Sequence, residues 1–273
     1  MTTAKTTAAV LVLGVCLCGW TARAGVVLEL EEREPGSDAV VSRIVYRLEA
    51  GRLRIETLSQ DAEETIVIFR ADRPVAWILR PAEGTYFEIA PEQVAALRRR
   101  MEEAEQRMTA ELAKMPPDQR RAFEEMMGRM GHHLGPAEPT TVRVAARGEK
   151  VGDYVCTRYQ IHRGQELEAE VWAAPLEEVH LRREEFDTLA ALGRLLEPLG
   201  QEGPVPQLGG MTRQEGAGDS IEGLPVRSRS YAGGEAYREE VLVRATRQEL
   251  DAGLFELPKG LRRTELEEDW VEP

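Results

Sequence analysis

Cys156 and His162 sit within VGDYVCTRYQIHRG (151–164) and are the residue types of a nucleophilic site. A thiolate attacks well only when a base lies within hydrogen-bond reach and a third group orients that base. The stretch alternates as a strand does, so Tyr154, Cys156, Arg158, Gln160 and His162 point one way and Val155, Thr157, Tyr159 and Ile161 the other. Arg158 could lower the thiol pKa. His162 stands six residues along, about 20 Å at ~3.3 Å per residue, too far to serve as the base. The pattern therefore predicts a buried, packing cysteine. The alternative that an unpaired cysteine of an exported chain invites is an intermolecular disulfide.

A second group could bind metal. Met126, Met130 and His133 fall at i, i+4 and i+7, one face of a helix, with His132 beside them. Thioether and imidazole suit Cu(I). The competing reading is that the methionines pack as adaptable apolar side chains. No H-E-x-x-H, G-x-S-x-G or P-loop pattern occurs, and the carboxylates form no recognisable constellation. The residues argue for a protein that is not an enzyme and that needs no cofactor.

The elements that must carry these residues begin with a leader. Lys5, an apolar run over 8–20 and Ala22-Arg23-Ala24 read as a signal peptide (1–24) cleaved after Ala24. Cys16 and Cys18 leave with it, each following a residue that suits lipidation poorly. Cys156 then remains alone, without a disulfide framework. No later run is long enough to span a bilayer. The formal net charge of −13 deepens when Lys5 and Arg23 are removed. Such a chain has no electrostatic affinity for a phosphate backbone or an anionic lipid surface, which argues against nucleic acid as a partner. The basic run Arg98-Arg99-Arg100 is followed by Glu102 and Glu103 and reads as a solvated helix face.

The first third alternates apolar and polar residues in short segments at hairpin spacing: 26–32, 39–58 around Glu49-Ala50-Gly51, 64–70, 74–81 and 84–90. The period changes at Pro91. Val94, Met101, Met108 and Met115 recur by sevens, with Leu97, Ala104 and Leu112 beside them, which predicts an amphipathic helix ended by Pro116-Pro117. A second helix over 117–131 completes an insert (91–134). Strands resume at 140–147, a hairpin covers 154–174, a helix covers 182–199, and a hairpin turns at Gly233-Gly234. GDYVCTR (152–158) and GLPVRSR (223–229) share a weak echo in which position 156 matches Arg227, so the hairpin pattern does not demand cysteine. An antiparallel sheet interrupted by a helix with an apolar stripe must bury one face on that helix.

The sequence carries VAWILRPAEGTYFEI, then KMPPDQRRAFEEMMGRM, then VGDYVCTRYQI and EVWAA, a helix, and a late FELPKGL. In that order these segments resemble a family of exported bacterial proteins of unknown function, similar to the superfamily of the periplasmic lipoprotein carrier and its outer-membrane receptor (LolA/LolB-like). The resemblance implies an α+β fold: a strongly curved antiparallel sheet, or half-barrel, closed by the Met-rich helical insert and a further helix. It implies one domain over 25–260, followed by an acidic tail (261–273). In that superfamily the space between sheet and helices holds acyl chains. The expectation is a periplasmic carrier for a lipid, a lipoprotein acyl chain or another amphiphile, lined by Trp77, Val94, Met101, Met108, Met115 and Trp172. The alternatives are a copper-binding protein using Met126, Met130 and His133, or an envelope interaction module whose partner is another envelope protein.

Overall fold

The computed structural model describes residues 23–59, 64–116, 118–120, 139–197, 217–218 and 220–265. Six strands open the chain as an antiparallel meander: β1 (Arg23–Arg33), β2 (Val40–Glu49), β3 (Arg52–Ser59), β4 (Thr65–Arg70), β5 (Val75–Arg80) and β6 (Thr85–Ile89). Their alternation is that of a half-buried sheet, with Ile44, Tyr46 and Leu48 inward on β2. The β2–β3 turn needs Gly51, whose φ of +79° suits glycine best. The expected leader boundary falls inside β1, and a cut after Ala24 would make Gly25 the first strand residue.

Helix α1 (Pro91–Lys114) follows, opened by Pro91 and by the Gln93 side chain, which accepts the Ala90 N–H at 3.1 Å. Residues 118–120 are helical again. The rest of the Met-rich second helix lies outside the described residues. The next strands are β7 (Thr140–Val151), β8 (Tyr154–Arg163) and β9 (Glu166–Ala174), then helix α2 (Arg183–Leu196), β10 (Ala217–Gly218), β11 (Leu224–Ala232), β12 (Glu235–Leu250), a single 3₁₀ turn over 252–255 and β13 (Arg262–Arg263).

All thirteen strands join one sheet in the order β10-β7-β8-β9-β11-β12-β1-β2-β3-β4-β5-β6-β13. It is antiparallel except at its ends, where the two-residue strands β10 and β13 pair parallel with β7 and β6. Among the described residues the sheet does not close on itself. Bulges interrupt the pairing of β1, β7, β9 and β11 with their neighbours and strengthen the local twist. The fold is thus α+β, a large open and mostly antiparallel sheet with a few helices, as the alternation predicts.

The main core lies between this sheet and α2. Phe186, Leu189, Leu192 and Leu196 lie on one stripe of α2 and join Leu48, Leu53, Ile55 and Phe69 of the sheet in one buried cluster. Each such side chain contributes about 1.5–3 kcal/mol on burial. Polar contacts fix where α2 sits. Thr188 Oγ1 accepts the Gly51 N–H at 2.8 Å and donates to Glu184 O at 2.9 Å. Buried Glu185 accepts the Arg182 N–H at 2.8 Å and receives both terminal nitrogens of Arg247 on β12, at 2.7 and 3.1 Å. Arg247 also donates to His180 O at 2.9 Å.

That pair ties α2 to β12, and removing one partner strands the other in a desolvated position. Arg247→Ala is expected to lower stability by about 2–4 kcal/mol in urea unfolding. Arg244→Ala, whose contact with Glu29 is exposed and spans 3.7 Å, is expected to change it by less than ~0.5 kcal/mol.

Candidate functional site

The hairpin β8–β9 carries different chemistry on its two faces. On one face Cys156 lies in the main core beside Trp172 and Ala174. On the other, Tyr159, Ile161, Val171 and Ala173 form a second apolar cluster with Val142 and Ile221. The faces are those that strand alternation predicts.

Cys156 is 1% exposed, and its thiol lies 3.8 Å from Tyr154 O. Burial, then the charges of Glu178 and Glu149, push its pKa up to about 11, so at neutral pH it is a thiol and a weak nucleophile. His162 lies at the far end of β8, past a bulge at Ile161/His162. The two residues form no nucleophile–base pair. Met126, Met130 and His133 lie outside the described residues. Among the described residues no three His, Cys, Asp or Glu side chains are grouped so as to hold a metal.

The six side chains expected to line one hollow are dispersed. Val94 and Trp172 are buried in the main core. Trp77 lies in a separate cluster with Ile66, Ile68, Val75 and Leu79, packed against Leu257 and Leu261, and its indole donates to Glu88 at 3.0 Å. Met101, Met108 and Met115 are half-buried along α1. None of the six lines either of the two clefts described next.

The larger cleft measures about 620 Å³ and opens between the β8–β9 hairpin, the start of α2 and the segment 220–223. Tyr159, Ala173, Leu176, Phe186 and Ile221 give it apolar walls, and Thr157, Arg183, Ser220 and Glu222 give it polar ones. The segment 220–223 is pinned in place. The Glu222 N–H donates to the Tyr159 hydroxyl at 3.1 Å. Gly223 has φ +97°, and a Cβ there would meet Ala174 O at 2.2 Å, so only glycine lets this backbone close on β9. Nothing in the apolar periodicity points to this site, because it assembles from a strand end, a helix start and a loop that are distant in sequence. The glycine preceding Leu224-Pro225 was the one local signal.

The smaller cleft, about 330 Å³, is lined by Arg33, Asp38, Arg227, Arg229 and Glu239 over Val151 and Val241. Glu239 accepts Arg227 Nε at 2.5 Å and an Arg229 terminal nitrogen at 3.0 Å. Burial works to raise the Glu239 pKa, but the hydrogen bonds from the two guanidiniums outweigh it and hold the carboxyl below its ordinary value. Arg227 stacks on Trp172 with its guanidinium carbon 4.9 Å from the ring centroid, and Arg158 lies over the same ring at 5.9 Å. The indole N–H donates to Glu149 at 2.7 Å.

No family model matches the chain, and no curated protein matches it. Solved structures similar at a low level include two of one protein. One is the complex of MucA and MucB from Pseudomonas aeruginosa, with 10% identity and a TM-score of 0.35, over 88% of this chain and 58% of that one. The other is the crystal structure of MucB, with 9% identity and a TM-score of 0.35, over 89% of this chain and 60% of that one. The chain spans less than two thirds of the length of either. A TM-score this low fixes neither a shared fold nor a shared function. No described helix is long and apolar enough to cross a membrane.

Two outcomes follow from the electrostatics. Glu239→Gln is expected to cost about 1–2 kcal/mol at pH 7. Folding lowers the Glu239 pKa, so its contribution is full above the ordinary carboxylate range and is lost as the pH falls through the depressed value. Urea unfolding should therefore show the gap between wild type and variant closing on acidification. A gap independent of pH would mean that the pairing is not what depresses the pKa. For Cys156, Ellman's reagent should react slowly with the folded chain at pH 8 and with one thiol per chain in urea. Rapid labelling of the folded chain would contradict its burial.

Proposed function

We propose that this chain is an exported, non-enzymatic binding protein that takes an amphiphile, a lipid or acyl chain, at the cleft between β8–β9, α2 and 220–223. The observation that carries this reading is the cleft's mixed lining. Tyr159, Phe186, Leu176 and Ile221 offer apolar walls to a hydrocarbon segment, and Arg183 and Thr157 offer polar partners to its end. Its volume of about 620 Å³ falls within the ~300–1,000 Å³ of typical ligand sites. Phe186, which lines the cleft, also packs with Leu189 and Leu192 in the core between α2 and the sheet, so the cleft lies at the edge of that core.

The signal-peptide pattern of residues 1–24 is what supports a periplasmic setting. The buried, protonated Cys156 supports a role in packing rather than in catalysis. The envelope-protein reading stays as the alternative in which the same cleft takes an apolar side chain of a partner.

The test uses chain 25–273, purified without detergent and titrated with a dansyl-labelled fatty acid. Saturable enhancement of dansyl fluorescence is expected. Ser220→Trp, which places an indole at the rim from an exposed position, is expected to weaken it by about tenfold, or ~1.4 kcal/mol. Binding that is absent, or that Ser220→Trp leaves unchanged, would remove the amphiphile from this cleft.

A further inference from the structure

We propose that the smaller cleft, at the seam of the β11–β12 hairpin with the β1–β2 loop, is a second binding site, and that it takes the anionic group of a ligand, a carboxylate or a phosphate. The argument starts from donors. A guanidinium carries five N–H donors and no acceptor. Glu239 engages one nitrogen of Arg227 and one of Arg229, at 2.5 and 3.0 Å, and so orients both guanidiniums without using up their N–H groups. The Arg229 Nε is buried without a hydrogen-bond partner. That nitrogen is shut off from solvent, and Tyr231 is a further hydrogen-bond partner of Arg229, so a ligand would meet the terminal nitrogens that Glu239 leaves over.

The two arginines lie two residues apart on β11 and so project from the same face of the strand, about 6–7 Å apart along it. Stacking on Trp172 at 4.9 Å fixes the Arg227 plane. Paired guanidiniums in fixed planes match the oxygens of a carboxylate or phosphate better than flexible ammonium groups do.

The acids around the cleft set its selectivity. Arg33 lines it too, but is tied to Glu31 at 2.8 Å. Asp38 stands in the lining and opposes an anion, so a ligand must approach along the arginine side. Ser37, exposed in the β1–β2 loop, accepts the Ala39 N–H through Oγ and keeps its hydroxyl hydrogen for a ligand. In a chain of net charge −13, this lining places three arginines beside two carboxylates, Asp38 and Glu239. The volume of about 330 Å³ suits one anionic group and a short attached stem.

The test keeps Trp172 as the reporter, in chain 25–273 carrying Trp77→Phe and Trp270→Phe. Sodium phosphate and sodium acetate are titrated at an ionic strength held constant with sodium chloride. A saturable change in Trp172 emission with at least one of them is expected. It should weaken at least tenfold in Ser37→Glu, which adds a competing carboxylate from a loop position. The same loss is expected in Arg227→Gln/Arg229→Gln/Glu239→Gln, which replaces the whole charge cluster at once so that no buried charge is stranded; circular dichroism confirms that each variant folds. No saturable change with either anion, or a change that folded variants retain, overturns the site.

Sedimentation with vesicles separates the sources of the anion. Pelleting with phosphatidylglycerol but not phosphatidylcholine, lost in Ser37→Glu, assigns it to a lipid headgroup. Pelleting with neither assigns it to a free anion. Equal pelleting with both, retained in Ser37→Glu, overturns headgroup recognition at this cleft.

Discussion

The pairing of β1 with β12 is the constraint on which the rest of the molecule depends. It joins the first described residues to the last long strand, with Arg23 opposite Leu250 and Arg33 opposite Glu239. Without it the meander β1–β6 and the unit β7–β12 would be two smaller sheets, each with an exposed edge at the break. Open edges invite pairing with other chains, and this ladder removes two of them. The closure is tight. A Cβ at Gly25 would stand 2.5 Å from Leu48 O and 2.4 Å from a Leu250 methyl, so the two strands and β2 approach as closely as they do because that position has no side chain. The same strand β12 supplies Arg247 to Glu185, so the helix that covers the core is indexed to the ladder that closes the sheet.

The smaller cleft is a consequence of that closure, and the larger one of the path by which the chain enters β11. The smaller one exists because β1, β11 and β12 are neighbours, which brings Arg33 from the start of the chain to Arg227 and Glu239 near its end. The larger one exists because β11 must reach β9 after α2, and the chain turns onto β9 through Gly223 against Ala174. The segment 220–223 cannot retreat from the sheet while the Tyr159 hydroxyl holds Glu222.

Much of this was legible in the sequence, and what was not has physical reasons. Hairpin turns at Gly51, Gly164 and Gly233-Gly234 and the inward side of β2 follow from local rules, because alternation on a half-buried strand records which side is covered. β5 is different. Val75 to Leu79 are all buried, so alternation says nothing about which face each residue takes, and Trp77 looked equivalent to Trp172 although it sits under Leu257 and Leu261. On α1 the heptad spacing gives the stripe but not its depth: Val94 is buried while Met101, Met108 and Met115 are only half-buried. The β1–β12 register spans almost the whole chain and leaves no local trace. For the arginine cleft a signal did exist: Arg227-Ser228-Arg229-Ser230 puts two cations on one strand face, and Glu239 follows in the partner strand.

Charge in this protein follows a consistent arrangement. Arginines on the strands are met by carboxylates across or along the ladder, as with Arg47 and Arg54 on Glu56, Arg238 between Glu32 and Glu240, and Arg163 on Glu168. These pairs are partly buried, and as cross-strand and along-strand contacts they help to keep a twisted sheet in register. Arg227 and Arg229 depart from that arrangement in one respect. Like Arg47 and Arg54 on Glu56, they share a single carboxylate, but both of them and that carboxylate line a cleft. A second guanidinium on the same carboxylate adds donors beyond what Glu239 can accept, and surplus donors held rigid beside a cavity are the physical requirement for recognising an anion.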